Sequence, residues 1–308
     1  MIPTYHCAGY LRQTLESVLA QDPGPDAMQI EVVDDHSVDD DPEAVVRELG
    51  GGRVGFHRQP ANVGHVRNFD SCLARARGEL VHILHGDDCV LPGFYETMGR
   101  PFAHHPEIGA AFCRYVAMDG EGRWHAVAPL LQPASGMVDG WLERIALGQL
   151  VQPPTIVVRR AVYERLGGFD RRIAAYGEDW EMWVRIAASY PVWHQVEPLA
   201  AYRVQGGSLS GRAMRTGQNL RDLRTAVAIN RELLPPPSAS RISRLALANN
   251  ALGAIRRAHR MLDTGQLATP LVQLRWAARI SPTPKVAWRG AGLLLHWGRA
   301  LARRALRR

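Results

Sequence analysis

The sequence predicts an α/β protein: a mainly parallel central sheet with helices on both faces, followed by a C-terminal helical extension. Three observations carry this. Short apolar runs alternate with helical patterns through the first two hundred residues. Two of those runs end in adjacent acids, Asp34-Asp35 and Asp87-Asp88, at the carboxyl ends of strands where such sheets bind ligands. Around Leu209 the chain turns Arg-rich and helical. With 308 residues, 46% of them apolar, it is long enough for one large domain, 1–208, and an accessory piece, 209–308.

In order, Tyr10 to Gln21 is expected as a helix, because Leu11, Leu15, Val18 and Leu19 make one stripe. Ile30 to Val33 is expected as a strand, Pro42 to Leu49 as a helix, Val54 to His57 as a short strand and Val66 to Ala76 as a helix. Leu80 to Leu84 is expected as a strand within HILHGDDCVLPG, which stops at Asp87-Asp88 and a Pro-Gly turn. Met1 to Tyr5 reads as the end of a strand, since two residues are too few for a whole one, so the first strand is expected to be truncated at its start. After Gln152-Pro153-Pro154 come the apolar run Thr155 to Val158 and a helix, Arg160 to Leu166, stopped by Gly167-Gly168. Gly177-Glu178-Asp179-Trp180 then opens a helix over Glu181 to Ser189, with acids where the helix dipole favours them. The remainder is helical, broken by a Pro235-Pro236-Pro237 linker and by Pro282 and Pro284.

Composition narrows the function. Cys7, Cys72, Cys89 and Cys113 form no C-x-x-C pair and no dense framework, which fits a reducing, cytoplasmic setting. No uninterrupted apolar run reaches the roughly 18 residues of a membrane span, and the start lacks signal-peptide order. The net charge of +7 hides an asymmetry: residues 1–208 hold 18 basic and 27 acidic side chains, residues 209–308 hold 19 and 3. One-sided basic charge suits an anionic membrane surface or nucleic acid. No base-reading or aromatic-stacking module accompanies it here, which argues against nucleic acid.

Taken singly, an Asp-Asp pair after a strand is either a turn or helix cap or a cation site, acids opening a helix serve its dipole, and His85 is a structural histidine or a ligand. Their order resembles that of the family 2 glycosyltransferases. Ile2-Pro3-Thr4-Tyr5 is similar to the family's first-strand motif and Glu31-Val32-Val33-Asp34-Asp35-His36-Ser37 to its second. Asn62-Val63-Gly64 with Asn68 and Ala76-Arg77-Gly78-Glu79 resembles the approach to the metal strand. The likeness continues through Gly167-Gly168-Phe169-Asp170, Gly177-Glu178-Asp179-Trp180 and Tyr202-Arg203, covering about residues 1–210.

The resemblance implies a GT-A fold and inverting, metal-dependent sugar transfer from a nucleotide-diphosphate sugar, with a UDP-sugar as the expected donor. It implies Asp87 and Asp88 as ligands of Mg²⁺ or Mn²⁺, hard cations suited to oxygen. It implies Asp179 as the base that deprotonates an acceptor hydroxyl, with Glu178 its neighbour. Tyr5 would stack on the nucleotide base, Asp35 or Asp34 would read the base edge near the Pro3 backbone, His85 would lie by the nucleotide, and Arg203 would meet the diphosphate. Three positions depart from the common pattern: His85 stands where most members carry Asp, His6 where Asn is usual, and Gln205 where a His is often found. A branch with Leu-His-x-Asp-Asp matches better through Asn62, Gly64, Asn68, Cys72-Leu73 and Leu84-His85.

Two other functions stay open on the residues. One is a catalytically inactive glycan- or membrane-binding module, suggested by His85 and Gln205. The other is a sugar nucleotidyltransferase, against which His6-Cys7-Ala8-Gly9 fails to supply a Gly-rich phosphate loop. At the far end, Val286 to Arg308 lays Gly290, Leu294, Trp297, Leu301 and Ala305 on one helical face and Arg289, His296, Arg299, Arg303 and Arg307 opposite. That pattern fits either a basic helix lying on an anionic membrane or a packed helix with a solvated Arg face. The first would place the enzyme peripherally at the cytoplasmic face, on glycan or lipid-linked acceptors.

Overall fold

The protein is described from a computed structural model covering residues 1–305. Two compact units emerge, the first formed by Met1–Trp141, Leu150–Arg171 and Arg185–Gln205, the second by Leu142–Gln149, Arg172–Val184 and Gly206–Arg308.

In the first unit β1 (Ile2–Thr4), α1 (Ala8–Leu19), β2 (Glu31–Asp34), α2 (Pro42–Gly50) and β3 (Gly55–Arg58) follow in turn, and the three strands pair in parallel in the order β1-β2-β3. α1 starts two residues before the expected Tyr10, and Leu11, Leu15 and Val18 bury its apolar stripe. α2 begins where the sequence offers Asp41 as a cap, its carboxylate accepting from the Ala44 N–H, with Pro42 as the first helical residue.

α3 (His65–Arg75) leads to β4 (Leu80–His82). β4 is shorter than the expected Leu80 to Leu84 because the chain there changes partner. Met1 N donates to the His82 carbonyl at 2.9 Å, Leu84 N to the Met1 carbonyl at 3.0 Å and Gly86 N to the Pro3 carbonyl at 3.0 Å. Residues 83–86 thus run alongside β1 in parallel fashion and join the two sheets into one surface.

Next come β5 (Cys89–Val90), α4 (Phe94–His104), β6 (Ala110–Met118), β7 (Trp124–Val127), β8 (Gly136–Met137) and α5 (Trp141–Ile145). β9 (Ile156–Arg159), α6 (Arg160–Leu166) and β10 (Val192–Arg203) complete the first unit, with strand order β4-β9-β6-β10-β5, whereas most of α5 and the first turns of α7 (Glu178–Ser189) belong to the second. In this half only β6 and β10 are parallel; β4-β9, β9-β6 and β10-β5 are antiparallel. The sheet is mixed, therefore, and parallel where helices return the chain to the same edge, as parallel pairing requires. Phe94 and Met98 of α4 meet Leu11, Leu15 and Val18 of α1 in one buried cluster. At about 25 cal/mol per Å² of apolar area, such burial is the main force holding the layers.

The second unit holds α8 (Leu209–Thr216), α9 (Gln218–Leu233), α10 (Pro236–Asp263), α11 (Ala268–Ile280) and α12 (Pro284–Ala305). The expected proline linker is replaced by a helix start: Pro235 is the cap and Pro236 and Pro237 open α10, where a missing N–H costs nothing. α10 packs against α9, α11 and α12. In α12 the packed side is Val286, Gly290 and Leu293, whereas Leu294 and Leu301, expected on the same face as Gly290, are exposed. Trp297 is half-buried, donating to the Leu267 carbonyl, and Arg307 lies outside the described residues.

Asn68 of α3 is buried; its amide donates to the Val33 carbonyl at 2.9 Å and accepts from Gln59 Nε2 at 3.1 Å. Asn68→Ala leaves both groups without that partner, so it is expected to cost about 1–3 kcal/mol, read as a lowered urea midpoint at unchanged slope.

Candidate active site

The acidic pair sits in the turn after the 83–86 segment, where Asp88 N donates to the His85 carbonyl at 3.0 Å. Gly86 is the residue that lets this turn approach the end of β1. A Cβ there would lie 3.0 Å from both Cys7 Sγ and Thr4 Oγ1 and 3.2 Å from Thr4 Cβ. His85 stacks on Phe69 of α3, with ring centroids 5.1 Å apart and planes 16° apart.

His85, Asp87 and Asp88 each offer a ligand atom, all within 4.8 Å of one another. Asp88 is 1% exposed, and its Oδ2 has no hydrogen-bond partner, with His85 Nδ1 4.0 Å away. Burial, and then the charge of Asp87, push the Asp88 carboxyl well above the usual carboxylate range. A buried acid with an idle oxygen beside a second acid fits a divalent cation, which would satisfy that oxygen and offset both charges.

Arg203, expected to meet a diphosphate, has its donors directed into the protein. Its backbone N–H donates to Asp88 Oδ1 at 2.8 Å. Its guanidinium donates to the carbonyls of Asp87 (2.7 Å), Asp119 (2.9 Å) and Gly120 (3.2 Å) and to Gln13 Oε1, and lies 4.5 Å from the Tyr10 ring centroid. Side chain and backbone together pin the acidic turn. Gln205, in the position of the often-found His, donates to Asp87 Oδ2 at 3.3 Å and accepts from Tyr10 OH at 3.1 Å. Tyr10 and Gln13 were missed in the sequence, because their spacing shows only the solvent side of a helix.

The nucleotide-side residues divide. Tyr5, 40% exposed just past β1, presents an open ring, with the His6 ring 4.0 Å away. Pro3 is buried, its carbonyl taken by Gly86 N. Asp34 and Asp35 are buried and occupied. Asp34 takes Ser37 Oγ, Ser37 N at 3.0 Å and Arg58 Nε at 2.9 Å. Asp35 takes the N–H groups of Val63 at 2.7 Å and Gly64 at 3.0 Å, so its carboxylate holds the Asn62-Val63-Gly64 loop, where Gly64 has φ +86°.

In the second unit, Glu178 and Asp179 stand in the first turn of α7. Asp179 Oδ2 accepts from Gln149 Nε2 at 2.6 Å, and Oδ1 from Trp180 N at 2.7 Å. Trp180 is fully buried and anchors the turn by donating to the Ile145 carbonyl at 2.7 Å. Burial, then the charge of Glu178, raise the Asp179 carboxyl to about 8. A carboxyl raised this far holds its proton more tightly than an exposed aspartate, so its ionised form is the stronger base.

The profile of the Glycosyl transferase family 2 matches residues 1–167, more than half of the chain. The chain belongs to glycosyl transferase family 2. A Mycobacterium tuberculosis relative, the uncharacterized protein MT1568, is 30% identical over 232 residues, covering 72% of this chain and 71% of the relative. A Mycoplasma genitalium protein described as the uncharacterized glycosyltransferase MG025 is 31% identical over 115 residues, 37% of this chain and 39% of its own length. Among solved structures, S. aureus TarS 1-349 in complex with UDP-GlcNAc superposes with a TM-score of 0.65 at 16% identity, covering 96% of this chain and 88% of that one. The mannosyltransferase PcManGT from Pyrobaculum calidifontis, in complex with GDP-Man and Mn²⁺, gives 0.58 at 19% identity, covering 98% and 79%. Of a longer TarS chain, this one spans about half, 53%. The fold of this family 2 chain is GT-A.

Arg203→Lys replaces a fork that reaches three carbonyls and Gln13 with a single ammonium. It is expected to weaken Mn²⁺ binding by about tenfold or more, roughly 1.4 kcal/mol, measured by calorimetry, with a smaller loss in thermal stability. Gly86→Ala is expected to weaken the same binding by lifting the turn off Thr4 and Cys7.

Proposed function

We propose that the protein is an inverting glycosyltransferase moving a sugar from a nucleotide-diphosphate sugar, a UDP-sugar first among candidates, to a hydroxyl of a glycan or lipid-linked acceptor. Cell-surface polysaccharide or glycolipid synthesis at the cytoplasmic face of a membrane is the setting this reading implies. The observation that carries it is the His85-Asp87-Asp88 cluster with its idle, buried Asp88 oxygen. Nucleotide-sugar complexes of the two structural neighbours, with UDP-GlcNAc and with GDP-Man and Mn²⁺, support the donor class.

Asp87 and Asp88, with His85 beside them, would hold Mg²⁺ or Mn²⁺. Such a cation, when bound, compensates the charge of the leaving diphosphate. Tyr5 supplies a face for the nucleotide base, and Asp34 and Asp35 fix the loops around it. Arg203 acts as a positioning residue for the acidic turn. Asp179, in the second unit, takes the acceptor's proton while the acceptor oxygen bonds to the anomeric carbon and the carbon–oxygen bond to the diphosphate breaks. Glu178 raises the proton affinity of Asp179 by its charge. One displacement inverts the anomeric centre.

A panel of nucleotide sugars assayed by release of free nucleotide identifies the donor; no release and no calorimetric binding of any UDP-sugar with Mn²⁺ would overturn the proposal. Asp179→Asn is expected to reduce transfer by about 10²-fold or more while nucleotide binding persists, and retained transfer would remove Asp179 from the role. Since folding raises the Asp179 carboxyl from 3.8 to about 8, its contribution to stability is complete below 3.8 and lost as pH rises through 8. Asp179→Asn is therefore expected to flatten the fall in melting temperature between those limits. His85→Asp is expected to shift preference from Mn²⁺ toward Mg²⁺, because an all-oxygen set favours the harder ion.

A further inference from the structure

α12 packs by one side only. Val286 and Leu293 are 1% and 0% exposed, and His296 is tied to α10 through His259 Nδ1 at 3.0 Å and Asp263 at 3.3 Å. The opposite side is apolar and bare: Trp288 and Leu295 are each 68% exposed, Leu294 50% and Leu301 43%, with Ala291 and Ala302 exposed between them. At about 100° per residue these six fall in one arc of about 140°. Lys285, Arg289, Arg299 and Arg303, all exposed, border that arc on one edge, and the Arg289 guanidinium lies 4.9 Å from the Trp288 ring centroid.

We infer that this face of α12 docks in the interfacial layer of an anionic lipid bilayer, with the Trp and Leu side chains among the acyl boundary and the cations on lipid phosphates. Three features favour lipid over a second copy of the chain. The bordering charges are all positive, and two copies set face to face would bring those cationic rows together. Residues 209–308 carry 19 basic side chains against 3 acidic, so the surroundings add to the attraction for anionic headgroups. Trp and Arg are also side chains that settle at a bilayer interface, each with an apolar body and a polar tip, and the Leu side chains add apolar area for the acyl boundary. The geometry is that of a helix lying in the membrane surface: no described helix is long and apolar enough to cross a bilayer. Docking of this kind would bring the proposed enzyme to lipid-linked acceptors, although vesicle binding is read without turnover and stands or falls apart from the reaction.

The test is flotation of the full chain with phosphatidylcholine vesicles, with and without phosphatidylglycerol. Binding is expected only to the anionic vesicles and is expected to fall sharply at about 1 M salt, where screening acts over about 3 Å. Trp288→Ser with Leu295→Ser is expected to lower partitioning at least about tenfold, and Arg299→Gln with Arg303→Gln to lower it about tenfold on anionic vesicles alone. Both pairs are exposed, so the melting temperature is expected to hold. The inference is overturned if the wild-type chain stays unbound, if either pair binds like wild type, or if the exposed face instead drives self-association or tighter binding to duplex DNA than to vesicles.

Discussion

The constraint on which the rest depends is the pair of backbone hydrogen bonds from Leu84 N and Gly86 N to the carbonyls of Met1 and Pro3. Without them the parallel half of the sheet, β1 to β3, and the mixed half beginning at β4 would be separate layers, and the acidic turn would have no fixed relation to Tyr5 at the end of β1. These bonds also explain the glycine between His85 and Asp87. A Cβ there would meet Thr4 and Cys7 at 3.0 Å, so any side chain would have to push the turn or its neighbours apart where it rides over the first strand. One short stretch therefore sets sheet continuity, the approach of the two acids and the position of the exposed Tyr5 ring.

How much of this was legible in the sequence depends on the range of the interaction. Helices α1 to α3 and strands β2 and β3 follow from local periodicity and appear within two residues of their expected bounds. The antiparallel pairings were not legible, because strand direction is decided by how the chain returns rather than by any residue within the strand. The proline triplet looks like a linker in sequence, yet Pro236 and Pro237 obey a rule as local as any, since a helix start has no use for their missing N–H. The face of α12 failed for a different reason. Helical periodicity sets Leu294 and Leu301 with Gly290, but packing is decided by which neighbours exist, and α12, lying against α10 and α11, buries Val286 and Leu293 instead.

Arg203 shows the same limit at the site. A guanidinium near a strand end in a nucleotide-binding pattern suggests a phosphate ligand, and the motif alone cannot show that Gln13, 190 residues away in sequence, and the carbonyls of Asp119 and Gly120 use its donors. Asp34 and Asp35 behave likewise: their oxygens are spent on Ser37, Arg58 and the Val63-Gly64 backbone. The motif residues are thus of two kinds, those with exposed or unpartnered groups and those whose groups are spent holding the loops. Sequence pattern marks both alike.

What separates the two kinds is charge left uncompensated. Asp34 has Arg58 against it, whereas the Arg203 guanidinium goes to the Asp87 carbonyl and to neither carboxylate of the acidic pair. Asp88 lies buried with an oxygen that no donor meets, at an electrostatic cost burial makes large. A fold that keeps Arg203 within reach of these acids, yet aims it at a carbonyl, holds the carboxylates in place while leaving them free to bind. Neutralising them directly would lower the energy of the empty turn and remove its capacity for a cation. The strain at Asp88 and the proposed metal function are therefore the same property, and the backbone N–H of Arg203 on Asp88 Oδ1 fixes which oxygen carries it.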